Sequence, residues 1–161
     1  MNNRTNICEL LSLRPHAAAK IAGSGEYPNI RGSVRFYQTA FGVIVAAEIA
    51  GLPTADTKCD NKFFGLHIHS GESCSGNSED PFADALTHYD TADCPHPHHA
   101  GDLPPLLGAG EYAFSVILTD RFQVKDIIGK TVIIHSNPDD FTSQPAGNSG
   151  KKIACGQIIA N

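Results

Sequence analysis

The chain has 161 residues, enough for one domain with a buried core, and its 41% hydrophobic and 18% charged composition is that of a folded globular protein. A formal net charge of −5, from 12 basic and 17 acidic residues without any basic stripe, argues against a nucleic-acid partner. No run approaches the roughly 18 apolar residues of a membrane-spanning helix, so no membrane partner is expected. The start, Met1 to Arg14, is polar apart from Leu10, Leu11 and Leu13, a cluster too short and interrupted for a secretory signal peptide. Either the protein stays inside the cell, or the sequence is a trimmed form that is secreted or periplasmic.

After an N-terminal extension (1–16), a first strand is expected at Ala17 to Gly23 in a single domain covering 17–161. Ile30 to Thr39 places Ile30, Gly32, Val34 and Phe36 on one face, alternating with Arg31, Ser33 and Arg35. Phe41 to Leu52 repeats that period with Val43, Val45, Ala47 and Ile49. Phe63 to Ser70, Glu111 to Thr119, Thr131 to His135 and Lys152 to Ile159 continue the series, with Gly, Pro, Asn and Asp between them. No segment carries a helical stripe. Two connections are long, Gly71 to Gly110 and Ser136 to Lys151, and connections beyond roughly 12–15 residues are usually functional or disordered. These two carry or flank most of the metal-type residues, which favours function. The expected fold class is all-β, an antiparallel β-sandwich or flattened barrel of about eight strands with two long functional loops.

Five cysteines (Cys8, Cys59, Cys74, Cys94 and Cys155) are too few for a disulfide scaffold, and the odd count fits one bridge with spare thiols. Seven of the eight histidines fall between positions 67 and 135, leaving His16 as a surface residue. On a strand, residues i and i+2 share a face, so His67 and His69 project together while Leu66 and Ile68 turn to the core. Two adjacent imidazoles suit copper or zinc. His88, His96, His99 and Asp102 in the long connection form the three-imidazole, one-carboxylate set that zinc accepts, although spacing does not choose between His98 and His99. His135 ends the apolar run Val132-Ile133-Ile134, where a side chain can reach a neighbouring site.

The series Gly65-Leu-His-Ile-His69, Cys74, His88, His96, His99-Ala-Gly-Asp102-Leu-Pro, His135-Ser-Asn-Pro-Asp139 and Gly147-Asn-Ser-Gly-Lys-Lys-Ile-Ala-Cys155-Gly resembles copper,zinc superoxide dismutase. The resemblance runs from about Ala17 to Ile159. It implies a Greek-key barrel, copper on His67, His69, His88 and His135, and zinc on His88, His96, His99 and Asp102, with His88 as the bridge. His98 drops out, because the motif aligns on His99. Asp139 falls where the family keeps a carboxylate bonded to one histidine of each site, and Cys74 and Cys155 fall where it keeps a disulfide. That bridge closes about 80 residues, for which chain entropy allows roughly 4 kcal/mol. The implied activity is dismutation of superoxide to dioxygen and hydrogen peroxide, with one copper and one zinc ion per chain and with His88 taking a proton during turnover.

Three departures from the family pattern bear on function. Lys152 stands where the family usually has an arginine beside copper, and an ammonium lacks the planar fork of a guanidinium. Lys151 would replace it if the register slipped by one. Only two residues separate His96 from His99, fewer than the family normally has, and Cys94 is a candidate soft competitor for zinc. A Cys59–Cys94 bridge would brace this loop. The Ser136–Lys151 loop is also short and poor in charge. In the family that loop shapes the field that draws in the anion, superoxide dismutase being a known case of such steering, so a reduced rate is expected. The alternative is a non-catalytic module that binds or delivers copper and zinc. The resemblance allows a homodimer and a copper-loading partner, and the sequence decides neither.

Overall fold

A computed structural model describes residues 6–54 and 62–161, and Cys59 with its suggested bridge lies outside them. Period-two alternation yields eight strands: β1 (Ala17–Gly23), β2 (Arg31–Thr39), β3 (Gly42–Ala50), β4 (Phe63–His69), β5 (Asp102–Ala109), β6 (Tyr112–Thr119), β7 (Thr131–His135) and β8 (Lys152–Ala160). They close into an antiparallel barrel in the order β1-β2-β3-β6-β5-β4-β7-β8. β3 pairs with β6 and β4 with β7, so the chain crosses the barrel ends as a Greek key does. Two short helices, α1 (Ile7–Ser12) and α2 (Val124–Ile127), and one 3-10 turn (Ala83–Ala85) complete the described elements. None is long enough to show an apolar stripe, and among the described residues no helix is long and apolar enough to cross a membrane.

The inward residues of β2 and β3 meet as their alternation requires. Val34 pairs with Ala47 and Phe36 with Val45, all buried in the main core. Leu66 and Ile68 of β4 join that core as expected. A smaller cluster of Phe82, Ala85, Ile133 and Cys155, with Cys74 against it, fills the space under the β4–β5 connection. Tyr37 donates from its hydroxyl to the carbonyl of Leu11 at 3.3 Å, which ties α1 to the barrel.

One expectation needs correction. The connection from Gly71 to Gly110 contains a whole strand, β5, so the loop proper ends near Gly101. Pro104 and Pro105 hid it, because proline donates no ladder hydrogen bond and reads as a strand breaker. β5 tolerates them because its ladder to β4 skips both at a register shift and its ladder to β6, the shortest in the barrel, holds only Gly108–Ala113 and Ala109–Tyr112.

Cys74 and Cys155 form a disulfide across 81 positions, joining the β4–β5 loop to β8. Replacing both with alanine should lower the stability of the metal-free protein by about 2–5 kcal/mol, read from urea unfolding. An unchanged midpoint would show that the loop is held by its other contacts.

Candidate metal centre

β4 carries His67 and His69 side by side, with ring centroids 6.5 Å apart. His135 comes from the end of β7, where a register shift between Ile134 and His135 against β8 re-aims the side chain. The β4–β5 loop returns His88 to the barrel through an isolated bridge to His69. β5 begins at Asp102, opposite His67 on β4. The strands therefore bring two donor sets together: His67, His69, His88 and His135, and His88, His96, His99 and Asp102, each with ligand atoms within 4.8 Å of one another. His98 is exposed and outside both sets, and Cys94, half-buried, also falls outside them.

Hydrogen bonds on the outer side of each ring fix which nitrogen faces inward. A carbonyl oxygen only accepts, so His69 Nδ1 donates to Leu86 at 2.9 Å and His135 Nδ1 to Gly150 at 3.3 Å. Both Nε2 atoms are then bare, and they lie 3.3 Å apart. Asp139 accepts from His67 Nε2 at 2.8 Å through one oxygen and from His96 Nε2 at 2.9 Å through the other. That leaves Nδ1 of both rings without hydrogen, and both atoms are buried without a hydrogen-bond partner. His88 Nδ1 lies 2.7 Å from Asp102 Oδ1, while its Nε2 is likewise buried and unpartnered. His96 Nδ1 sits 3.1 Å from Asp102 Oδ2, too poorly aligned to bond, and His99 Nδ1 lies 3.1 Å from the same oxygen.

Bare lone pairs converging out of reach of water repel one another unless a cation stands between them. The orphaned nitrogens therefore fit metal ions, with imidazole donors suiting copper in the first set and a three-nitrogen, one-oxygen group suiting zinc in the second. Burial, then the neighbouring His135 and His88, pushes His69 far below the usual imidazole range. Burial, followed by His67, lowers His135 to about 3. At Asp102 burial opposes the charge, but the hydrogen bond from His88 and the adjacent rings outweigh it and hold the carboxylate well below its ordinary range.

The family model for copper/zinc superoxide dismutase (SODC) matches residues 30–158. The chain belongs to that family. It is 29% identical to a copper-zinc superoxide dismutase of Legionella pneumophila over 92% of this chain and 90% of the relative. It is 30% identical to one of Arabidopsis thaliana over 88% of each. The solved copper/zinc superoxide dismutase of Brucella abortus shares the fold at a TM-score of 0.73, with 21% identity over 88% of this chain and 98% of that one.

In this member of the superoxide dismutase family, His69, His88 and His135 reach a cleft of about 900 Å³. Lys152 and Lys151 both line the cleft, Lys152 half-buried and Lys151 exposed. The Lys152 ammonium donates to Asp80 at 2.7 Å and to the Phe82 carbonyl at 3.0 Å, whereas Lys151 is exposed, 3.7 Å from Glu26. Asp80 has no motif around it that marks it in the sequence, and only the disulfide-anchored loop brings it here. Gln144 is equally unmarked. Its side chain accepts from His96 N at 3.0 Å and donates to His96 O at 2.7 Å, as a neighbouring strand would. Gly147, at φ 64°, passes so close to Asp139 that a Cβ there would overlap the carboxylate.

The lowered histidines set the pH response of the metal-free protein. Unfolded imidazoles take up protons near pH 6.5 while His67, His69 and His135 resist, so the folded state binds fewer protons as pH falls. Stability should drop from about pH 6.5 towards pH 3, by more than about 2 kcal/mol. The lowered carboxylates of Asp102 and Asp139 add loss of the same sign below about pH 4. Urea midpoints across this range check it, and a midpoint independent of pH would contradict the burial of neutral imidazoles.

Proposed function

We propose that this chain dismutes superoxide, with copper on His67, His69, His88 and His135, zinc on His88, His96, His99 and Asp102, and His88 between the two. The observation that carries the reading is the pair of buried donor sets sharing one imidazole, with a bare nitrogen aimed at each centre. Copper would supply the one-electron couple and zinc a fixed positive charge. Two superoxide ions and two protons give dioxygen and hydrogen peroxide.

The chain's own residues prepare this chemistry. His88 presents Nδ1 to the Asp102 side and Nε2 to the copper-type set, so a proton can be held or released at Nε2 while Nδ1 stays anchored. Asp139 fixes the orientation of His67 and His96 with one carboxylate, the kind of outer contact that usually governs metal affinity. Lys152, which lines the cleft with His135, would guide the anion, although Asp80 offsets its charge at contact distance. The cleft is lined by five carboxylates (Glu26, Glu79, Asp80, Asp90 and Asp93) against the two ammonium groups of Lys151 and Lys152.

Before the metals are counted, that balance is acidic and weakens the inward steering of an anionic substrate. Between about 0.01 and about 0.15 M ionic strength, screening shortens from about 30 to about 8 Å. With steering weakened in this way the rate constant depends little on salt, so kcat/KM should not fall steeply across this range. Lys152→Met should lower it by about 10-fold. A steep fall with added salt would show that the field steers the anion inward.

The same acidic rim would draw metal cations, which supports a second reading, a module that binds or delivers copper and zinc. Superoxide decay after a pulse, with one copper and one zinc per chain, separates the two. Decay far faster than with apoprotein, first order in enzyme, is expected. Decay no faster than apoprotein, with both metals bound, would leave the metal-handling reading.

A further inference from the structure

Two residues between His96 and His99 leave the loop too short to shape itself around a metal, so its form must be imposed by contacts outside it. At the His96 end that contact is the paired hydrogen bonding of Gln144. At the other end it is Arg121, in the turn that follows β6. One guanidinium nitrogen of Arg121 lies 3.1 Å from the carbonyl of Pro97, 3.3 Å from that of His99 and 3.0 Å from that of Asp102. Three carbonyls of a six-residue segment (97–102) thus turn outward onto one cation. Two of them belong to members of the second donor set.

We infer that Arg121 is a positioning residue for the zinc half of the site: by gathering these carbonyls it holds the segment so that His99 and Asp102 present their donor atoms inward. The inference rests on zinc being the occupant of that donor set.

The local hydrogen bonding shows why an outside cation is needed. Asp102 N donates to His99 O at 3.2 Å, and His99 N donates to Asp102 Oδ2 at 3.0 Å, which makes a tight reciprocal turn. That turn places the Asp102 carboxylate but does not fix how the turn as a whole is tilted towards His88 and His96. Arg121 shares the His99 carbonyl with Asp102 N and adds the carbonyls on either side, so it sets the tilt. It reaches them across the stretch where β5 and β6 no longer pair, beyond Gly108–Ala113, and Pro97, Leu103 and Phe141 line the small pocket there. A charged group bonded to neutral carbonyls makes stronger contacts than a neutral donor would. Arg121 bonds none of the copper-type ligands: His67 and His69 stand on β4, His135 on β7, and His88 is linked to it only through Asp102.

The test compares Arg121→Met, which keeps an apolar stem and removes the donors, with Arg121→Lys, which keeps the charge on a single nitrogen. Arg121 and its contacts to Pro97 and His99 are exposed, so water can reach those freed carbonyls and the barrel should fold in both variants. Zinc affinity is measured by chelator competition, copper affinity in parallel, and the geometry at the zinc donors by the visible absorption of Co²⁺ loaded in its place. Arg121→Met should weaken zinc by about 10- to 100-fold, the usual effect of losing an outer contact to a ligand. Copper affinity should stay within about twofold, as expected of separable sites. The Co²⁺ bands should lose tetrahedral intensity, and Arg121→Lys should recover part of both signals. Unchanged zinc affinity and Co²⁺ spectrum in folded Arg121→Met would overturn the inference while leaving the function intact. Equal losses of both metals would also overturn it, by showing general loosening. A wild-type protein that takes neither Zn²⁺ nor Co²⁺ at these donors would instead overturn the zinc reading, and the inference with it.

Discussion

Hydrogen bonds behind the imidazole rings decide what their front faces can do. The carbonyls of Leu86 and Gly150 accept hydrogen bonds from His69 and His135, and the two oxygens of Asp139 accept from His67 and His96. The nitrogens turned inward by these bonds are bare, and those of His67 and His96 are buried without a partner, which carries a desolvation cost without returning any bond inside the protein. Such a cluster is tenable as a preformed cage for cations. Asp139 matters most because it joins rings from the two donor sets, and because it rides on the loop between β7 and β8. The glycine conformation at Gly147 lets that loop pass the carboxylate closely enough to secure it.

The barrel supplies the stiff part of this arrangement and the loops the adjustable part. His67, His69 and His135 are fixed by β4 and β7, whose pairing keeps Leu66 opposite Ile134 and His67 opposite Ile133. His88, His96 and His99 arrive on the β4–β5 loop, which is held by the disulfide at one end and by β5 at the other. The same disulfide carries Asp80 and Phe82 to Lys152, so a covalent link made for stability also sets how much positive charge the cleft shows to an incoming anion.

Most of the strands were legible because each buries one face, and burial writes a period of two into Val34, Phe36, Val43 and Val45. The two donor clusters were legible for a related reason: histidines at i and i+2 on a strand, and a histidine-rich loop ending in aspartate, have few other uses together. The residues that support them were not. Asp80, Gln144 and Arg121 act through backbone groups or through another side chain, and nothing in their own neighbourhoods marks partners 72, 48 and 19–24 positions away. β5 was hidden in the opposite way, by a Pro-Pro pair that ordinarily excludes a strand.

Those prolines have a consequence for the protein in a crowded solution. Where β5 and β6 part company, the closed barrel has its shortest ladder, and the unpaired stretch offers backbone groups onto which another chain could add as a strand. Pro104 and Pro105 fall within this stretch of β5 and contribute no N–H to such a row. Among the described residues, the shortest ladder of the barrel is therefore a seam whose chemistry gives an added strand fewer hydrogen bonds.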